Sequence, residues 1–206
     1  MLYNEVTSHA NNVDNVMIYI TAISVFFLIG ITVTMIYFVF KFNRKRNKEA
    51  KDIHGNFLLE TVWIVIPTIL VLTMFYFGYM GYKGIRQVPE NAIKIKGIAK
   101  MWEWNFHYDN GKKSDTLFVP SGKPVELLLQ SLDVNHSLYI PAYRVKQDVV
   151  MGRVNNLVIR PEKLGTYDIA CAEYCGLKHS MMYTKLVVMD TTDFNKWYNS
   201  NIPENK

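Results

Sequence analysis

The sequence predicts a membrane-anchored β protein, in which a hairpin of two transmembrane helices is followed by a β-sandwich or barrel. Two long uncharged apolar runs lie in the first 90 residues, and a basic segment separates them. Short alternating segments bounded by turn residues fill the rest of the chain. We therefore expect two domains, a helical hairpin over residues 1–90 and a β domain over residues 91–206.

Each apolar run is long enough to cross a bilayer. Residues 17–40 and residues 61–82 contain no charged side chain. At a rise of about 1.5 Å per residue, each run spans a hydrocarbon core of about 30 Å. Pro67 lies within the second run, where a membrane helix tolerates it. A cleaved signal peptide is the alternative for the first run, but no Lys or Arg precedes Lys41 and the run is longer than a signal core.

The segment between the runs predicts the orientation. Its basic residues outnumber its acidic ones: Lys41, Arg44, Lys45, Arg46, Lys48 and Lys51 stand against Glu49 and Asp52. By the positive-inside rule this loop is cytoplasmic, or on the equivalent side of an organelle membrane. Both termini and the β domain are then expected on the outer face of the lipid bilayer. Basic residues beside apolar runs account for the net charge of +5 without a nucleic-acid partner.

The β domain is predicted from short strands between turn signals. Ile93 and Ile95 alternate with Lys94 and Lys96, a pattern typical of a half-buried strand. The stretches 109–112 and 120–123 are turn sequences. Further strands are expected at 101–108, 116–119, 124–129, 137–139, 156–159, 165–169 and 182–189. A short helix is expected at 194–198, with Thr191 or Thr192 and Asp193 offering its cap.

Residues 171–182 carry the densest set of metal-binding side chains. This stretch contains the only two cysteines, Cys171 and Cys175, followed by His179 and Met182. Thiolate, imidazole and thioether together suit copper, and a second thiolate allows two metal ions to lie side by side. Three alternatives stay open: a disulfide that closes a tiny loop, a zinc site and a reactive dithiol. Zinc does not require a thioether, and redox dithiols are usually C-x-x-C.

This motif resembles the binuclear copper (CuA) loop of the cytochrome c oxidase subunit II family. The family pattern C-x-E-x-C-G-x-x-H-x-x-M matches at every position of residues 171–182. The upstream pattern D-V-x-H-S matches residues 133–137, which include His136. The resemblance covers nearly the whole chain and implies a cupredoxin-like Greek-key β-sandwich behind the hairpin. It departs at Met151, where the family usually has a proline before Gly152.

The resemblance also implies the ligands of a two-copper centre. The implied metal ligands are His136, Cys171, Glu173, Cys175, His179 and Met182. In the family, the two cysteines bridge both ions, while His136 and Met182 complete one of them. His179 and the backbone carbonyl of Glu173 complete the other. The Glu173 carboxylate would then be free to reach a Mg²⁺ shared with subunit I, since carboxylate oxygen suits that ion. A solvated loop carboxylate is the alternative.

Two further residues take functional roles through the same resemblance. Trp102 begins the aromatic segment 102–108, which is similar to the family strand W-x-W-x-[FY], whose first Trp accepts an electron from cytochrome c at the surface. Core packing is the alternative for this segment, and is the expectation for Trp104. Glu60, followed by Thr61 and later by Pro67, matches the Glu at the mouth of the K proton channel. A carboxylate favoured by the helix dipole is the alternative for Glu60.

The implied function is electron transfer into a cytochrome c oxidase. The centre would accept electrons from cytochrome c and pass them to haem in subunit I. Subunit I, with its haem and CuB, would reduce oxygen to water and couple this to proton translocation; subunit III is a further implied partner. The implied location is the bacterial cytoplasmic membrane or the mitochondrial inner membrane. A copper-free quinol-oxidase subunit, a membrane-tethered copper carrier and a purely structural subunit remain alternatives.

Overall fold

The computed structural model describes residues 6–49 and 54–200 of the chain. The chain divides into two compact units. Val13–Met80 forms a helical unit, and the residues on either side of it form a β unit.

The helical unit consists of two long helices. Helix α1 covers Ser8–Lys41 and helix α2 covers Phe57–Arg86. Both predicted apolar runs lie inside these helices, and both helices are long and apolar enough to cross a membrane. The Asn56 side chain accepts a hydrogen bond from the Leu59 N–H at 3.1 Å and so caps the start of α2. Of the predicted basic loop, Lys51 and Asp52 lie outside the described residues.

The two helices pack as an antiparallel pair. Tyr19, in the first half of α1, forms a hydrogen bond with the Thr73 hydroxyl at 2.8 Å. The same ring meets Phe77 edge to face, with centroids 5.9 Å apart. Most other apolar side chains of both helices are exposed, as expected for helices surrounded by lipid.

In the described part of the β unit, ten strands form two five-stranded sheets. The first sheet contains β1 (Ile93–Lys100), β2 (Glu103–Tyr108), β3 (Lys113–Ser114), β5 (Val125–Ser131) and β8 (Asn155–Ile159). The second contains β4 (Leu117–Pro120), β6 (His136–Ile140), β7 (Val145–Val149), β9 (Gly165–Cys171) and β10 (Tyr183–Met189), followed by helix α3 (Thr191–Asn199). The strand orders are β3-β2-β1-β5-β8 and β4-β10-β9-β6-β7. This two-sheet sandwich behind two apolar helices confirms the predicted fold class.

Alternating burial places the core between the sheets. In β1, Ile95 and Ala99 are fully buried, whereas Lys94 and Lys96, on either side of Ile95, are exposed. In β2, the rings of Trp104, Phe106 and Tyr108 are buried on one face. Because successive side chains of a strand point to opposite faces, each strand contributes every second residue to this core.

Two strands and one helix cap differ from the sequence prediction. Strands β3 and β7 were not predicted, because β3 has two residues and β7 is apolar only at its ends. The cap of α3 is Asp190, one residue before the predicted threonines. Its carboxylate accepts hydrogen bonds from the N–H groups of Thr192 and Asp193, at 2.7 and 3.0 Å. Asp190 has the extended backbone conformation of a capping residue.

Strand direction brings three chain segments to one end of the sandwich. Strands β1 and β5 are parallel, so the turn after Lys100 and the loop after Ser131 leave the first sheet at the same end. In the second sheet, Leu138 pairs with Cys171, which sets the start of β6 beside the end of β9. His136 and Cys171 are therefore neighbours although 35 residues separate them.

Candidate metal centre

The two cysteines form the middle of the site. Cys171 is the last residue of β9, and Cys175 lies in the loop that leads to β10. Both side chains are buried, and their sulfur atoms are 3.8 Å apart. A disulfide bond is about 2.05 Å long, so the thiols are free and the disulfide alternative does not hold in this structure.

An imidazole and a thioether lie beside the thiols. His136 Nδ1 is 3.8 Å from Cys171 Sγ, and Met182 Sδ is 3.8 Å from Cys175 Sγ. Both side chains are fully buried. His136, Cys171 and Cys175 alone place three ligand atoms within 4.8 Å of one another.

A second imidazole and a backbone carbonyl also lie beside the thiols. His179 Nδ1 is 3.6 Å from Cys175 Sγ, and the carbonyl oxygen of Glu173 is 3.3 Å from Cys171 Sγ. His179 begins the short 3-10 helix His179–Met181, which returns the chain to β10. The loop thus adds one further donor group beside each thiol.

These distances fit metal coordination. Ligands of a tetrahedral ion with bonds of about 2.0–2.3 Å lie roughly 3.3–3.8 Å from each other. Here each sulfur atom lies 3.3 to 3.8 Å from the neighbouring donor atoms. The combination of thiol, imidazole and thioether matches the ligand preference of copper. The thioether of Met182 is the feature that zinc would not require.

Asp133 orients His136. One oxygen of its carboxylate lies 2.8 Å from His136 Nε2, which leaves Nδ1 facing the Cys171 thiol. Burial alone would raise the pKa of Asp133, but hydrogen bonds from His136 and from the N–H groups of Met101 and Val134 lower it. A charged carboxylate behind a ligating imidazole sets both the tautomer and the ring orientation. Sequence reasoning offered Asp133 only as a carboxylate that could steer cytochrome c and gave it no role toward His136, although its position three residues before His136 was the available signal.

The metal-free Cys175 thiol holds its proton. Burial, followed by the neighbouring Cys171 thiol, raises the pKa of Cys175 to about 11. At neutral pH the Cys175 thiol is therefore protonated until a metal ion displaces the proton. Uptake of metal at this site is expected to release protons and to strengthen as pH rises.

Trp102 touches the ligand loop directly. It lies half-buried in the turn between β1 and β2, and its indole N–H donates to the Cys175 carbonyl at 3.1 Å. Gly176 packs beside the Trp102 ring with φ +110°. This backbone conformation, which side chains rarely adopt, favours glycine at the position. Trp104, by contrast, is buried in the core with its ring 6.2 Å from that of His136.

Neither predicted carboxylate is among the donor groups that contact the thiols. The Glu173 side chain is half exposed, and one of its oxygens is 3.8 Å from Lys146 Nζ. Glu60 lies in the first turn of α2 with its side chain exposed, within the helical unit. The structure thus gathers three predicted side chains and one predicted carbonyl around the two predicted thiols, with Trp102 against the loop that carries Cys175.

Family comparisons identify what the chain is similar to. The transmembrane domain of cytochrome C oxidase subunit II matches residues 4–79, and the periplasmic domain of the same subunit matches residues 112–190. An alternative cytochrome c oxidase subunit 2 of Bradyrhizobium diazoefficiens is 29% identical over 216 residues, covering 89% of this chain and 76% of that protein. Cytochrome c oxidase subunit 2 of Alkalihalophilus pseudofirmus is 30% identical over 190 residues, covering 86% of this chain and 56% of that protein.

Solved structures agree with these matches. The periplasmic domain of subunit II of the Bradyrhizobium japonicum cytochrome oxidase superposes with a TM-score of 0.51 at 29% identity. That match covers 54% of this chain and 94% of the other. A chain of a heme-copper terminal oxidase dimer shares the fold, with a TM-score of 0.51 at 24% identity over 64% of this chain and 99% of the other.

Proposed function

This membrane-anchored chain belongs to the cytochrome c oxidase subunit II family, and on that premise we propose that it receives electrons for the oxidase through a binuclear copper (CuA) centre. The proposed donor is cytochrome c, and the proposed acceptor is haem in subunit I. Reduction of oxygen to water, coupled to proton translocation, would take place in subunit I and not in this chain.

The observation that carries the proposal is that two neighbouring thiols each have two further donor groups beside them. His136 and the Glu173 carbonyl lie beside Cys171, and His179 and Met182 lie beside Cys175. A single tetrahedral ion would need only four of these six donors. The full complement of donors also favours this proposal over a copper-free quinol-oxidase subunit.

The surrounding side chains would restrict movement of the copper ligands and keep water away from them. His136, Met182 and both cysteines are buried, and Asp133 fixes the His136 ring. A bound copper pair with two shared thiolates supplies one-electron redox chemistry. Because the ligands come from a β-strand end, a strand start and a short hydrogen-bonded loop, they have little freedom to rearrange when the charge changes.

Trp102 is the proposed point at which the electron arrives. Its ring reaches the surface, and its indole N–H contacts the backbone of a bridging cysteine. This gives a path of one hydrogen bond between a surface ring and the ligand loop. Membrane-tethered delivery of copper would not need such a contact.

The remaining roles are proposed on the family resemblance together with charge. Residues 1–90 would form the membrane hairpin and residues 91–206 the outer domain, in the bacterial cytoplasmic or the mitochondrial inner membrane. The basic loop between the helices supports a copper centre on the outer face. Subunit I, with haem and CuB, and subunit III are the proposed partners. Glu173 would bind Mg²⁺ in place of its contact with Lys146, and Glu60 would admit protons.

Electron paramagnetic resonance of the copper-loaded full chain in detergent tests the proposal. We expect hyperfine structure from one unpaired spin shared equally by two copper nuclei. A single-copper spectrum, or no copper retention, would contradict it. The matched control is Met181→Leu, because Met181 is an exposed neighbour of Met182 and its replacement should leave the spectrum unchanged.

A further inference from the structure

Two carboxylates beside the ligand loop share one cation. Lys146 Nζ lies 3.4 Å from an oxygen of Asp148 and 3.8 Å from an oxygen of Glu173. All three side chains are about half exposed. Among the described residues, neither carboxylate forms an ion pair with any other cation. Two negative charges therefore converge on a single ammonium group.

The register of the second sheet brings these groups together. Lys146 and Asp148 are the two exposed residues of β7, and alternation places them on the same outer face. Glu173 lies in the loop after β9. The Ala172 N–H of that loop donates to the Ser137 carbonyl at 2.9 Å, and Ser137 is the register partner of Asp148. The loop that carries Glu173 is thereby held next to β7.

The two carboxylates are held with different strength. The fully buried Ser137 hydroxyl donates to the same Asp148 oxygen that contacts Lys146, at 2.9 Å. In the part of the chain that the structure describes, the Glu173 carboxylate has only its contact with Lys146. An exposed ion pair of this kind contributes little stability. Glu173 is therefore the carboxylate that exchanges its cation more easily, while Asp148 stays in place.

From this arrangement we propose that Lys146 is a displaceable counter-ion that controls how readily Glu173 takes up a divalent cation. The inference rests on the proposed Mg²⁺ role of Glu173 and adds a residue that regulates it. An ammonium group and a divalent cation at one carboxylate repel each other, so the ion must displace Lys146, which keeps Asp148 as its partner. Lys146 makes uptake by this chain alone weak, so that ligands from a partner are needed to hold the ion.

The test measures binding of Mn²⁺, a paramagnetic ion that accepts the same oxygen ligands. The copper-loaded full chain in detergent is titrated with Mn²⁺, and electron paramagnetic resonance gives the concentration of free ion. Loading with copper first keeps Mn²⁺ away from the thiols. Lys146→Met removes the charge and retains the length of the side chain. It should bind Mn²⁺ roughly tenfold more tightly at low ionic strength, with a smaller gain at high salt.

A matched control is available on the same sheet. Lys185 on β10 is 56% exposed and pairs with Asp168 on β9, without a second carboxylate. Lys185→Met makes the same charge change and should leave Mn²⁺ affinity unchanged. Equal gains in the two lysine variants, or no gain in Lys146→Met, overturn the inference.

A double-mutant cycle tests the role of Asp148. Asp148→Asn should weaken Mn²⁺ binding more in the chain that retains Lys146 than in the Lys146→Met background, because only a retained lysine needs a second carboxylate. An equal loss in both backgrounds would show that Asp148 acts on the ion directly and not by receiving Lys146.

Glu173→Gln separates this inference from the proposed function, because it retains the backbone carbonyl and changes only the carboxylate. If Glu173→Gln weakens Mn²⁺ binding but Lys146→Met does not strengthen it, only the counter-ion inference fails. If Glu173→Gln leaves binding unchanged in every background, the proposed Mg²⁺ role fails and the inference falls with it. The shared-spin copper signal reports on the copper centre independently of both results.

Discussion

The two ends of the β-sandwich are filled by different kinds of side chain. At one end, which we call the helix end, the rings of Tyr108, Phe118, Phe194, Trp197 and Tyr198 pack together. At the other, the metal end, thiols, imidazoles and a thioether approach one another to between 3.6 and 3.8 Å. The helix end is closed by the chain's own atoms. The metal end presents donors spaced for an ion that the chain does not supply.

Polar groups show the same contrast. At the helix end, the buried Lys112 ammonium donates to the Trp197 carbonyl and to the Ser200 hydroxyl, and lies 4.5 Å from the centroid of the Trp197 ring. It thereby adds a charged donor at the carbonyl end of α3, where the helix dipole favours a cation. At the metal end, burial leaves the Cys175 thiol with a raised pKa of about 11. We therefore expect substitutions at the helix end to change mainly the unfolding free energy, and substitutions at the metal end to change mainly metal binding.

Replacing a bridging thiol should abolish function with little change in stability. We expect Cys175→Ser to eliminate the shared-spin copper signal, because a hydroxyl does not replace a bridging thiolate. The unfolding free energy of the metal-free chain should change by no more than about 1–2 kcal/mol. Paramagnetic resonance and thermal unfolding in detergent measure the two effects. Retention of two equivalent copper nuclei in this variant would show that the thiol is not a bridge.

Removing a buried ring at the helix end should lower the unfolding free energy and leave copper binding unchanged. Phe194 is 5% exposed and stacks on Tyr198 with centroids 5.6 Å apart. Phe194→Ala should lower the unfolding free energy by about 3–4 kcal/mol through lost burial and a cavity. Below the lowered melting temperature the copper signal should be unchanged. Tyr174→Ala, at a 76% exposed position, is the control, and an equal loss in both variants would refute the assignment.

Removing the charge behind His136 should weaken the metal end without abolishing it. Asp133→Asn is expected to reduce copper affinity by about 10- to 100-fold, as found for groups that orient metal ligands. Competition with a chelator measures the affinity. Asp109→Asn makes the same charge change at the exposed turn after β2 and should have no effect. Equal losses in both variants would mean that general charge, and not orientation of the ring, is responsible.

The smallest expected effect concerns a hydroxyl that links the two sheets. Tyr108 in β2 accepts a hydrogen bond from the Phe118 N–H at 2.8 Å and donates to the Phe118 carbonyl at 3.0 Å. Tyr108→Phe should lower the unfolding free energy by about 1–3 kcal/mol, because two backbone groups lose a hydrogen-bond partner. The value should be near the lower limit of this range because the ring remains packed. Thermal unfolding measures this, with the exposed Tyr183→Phe as control. A change in copper affinity would contradict the separation of the two ends.

Local pattern was enough to predict much of the architecture. The two uncharged runs and the alternation around Ile95 depend on composition and short-range periodicity, so the helices and most strands were predicted correctly. Strand β7 was missed because V-K-Q-D-V has too few apolar residues to show a period. The capping residue was misplaced because Thr191, Thr192 and Asp190 have similar capping chemistry, and only backbone conformation distinguishes them.

The sequence by itself determined the chemistry of the candidate site, because six donors with a distinctive order are readable from two short motifs. Their role as copper ligands stays a prediction. Only the tertiary structure decided which donors share a thiol, which carboxylate holds His136, and that Lys178 lies over Trp102. The contacts of His136 with Cys171 and of Lys178 with Trp102 join segments far apart in the sequence, and their distances depend on strand register and direction. No local pattern encodes these quantities.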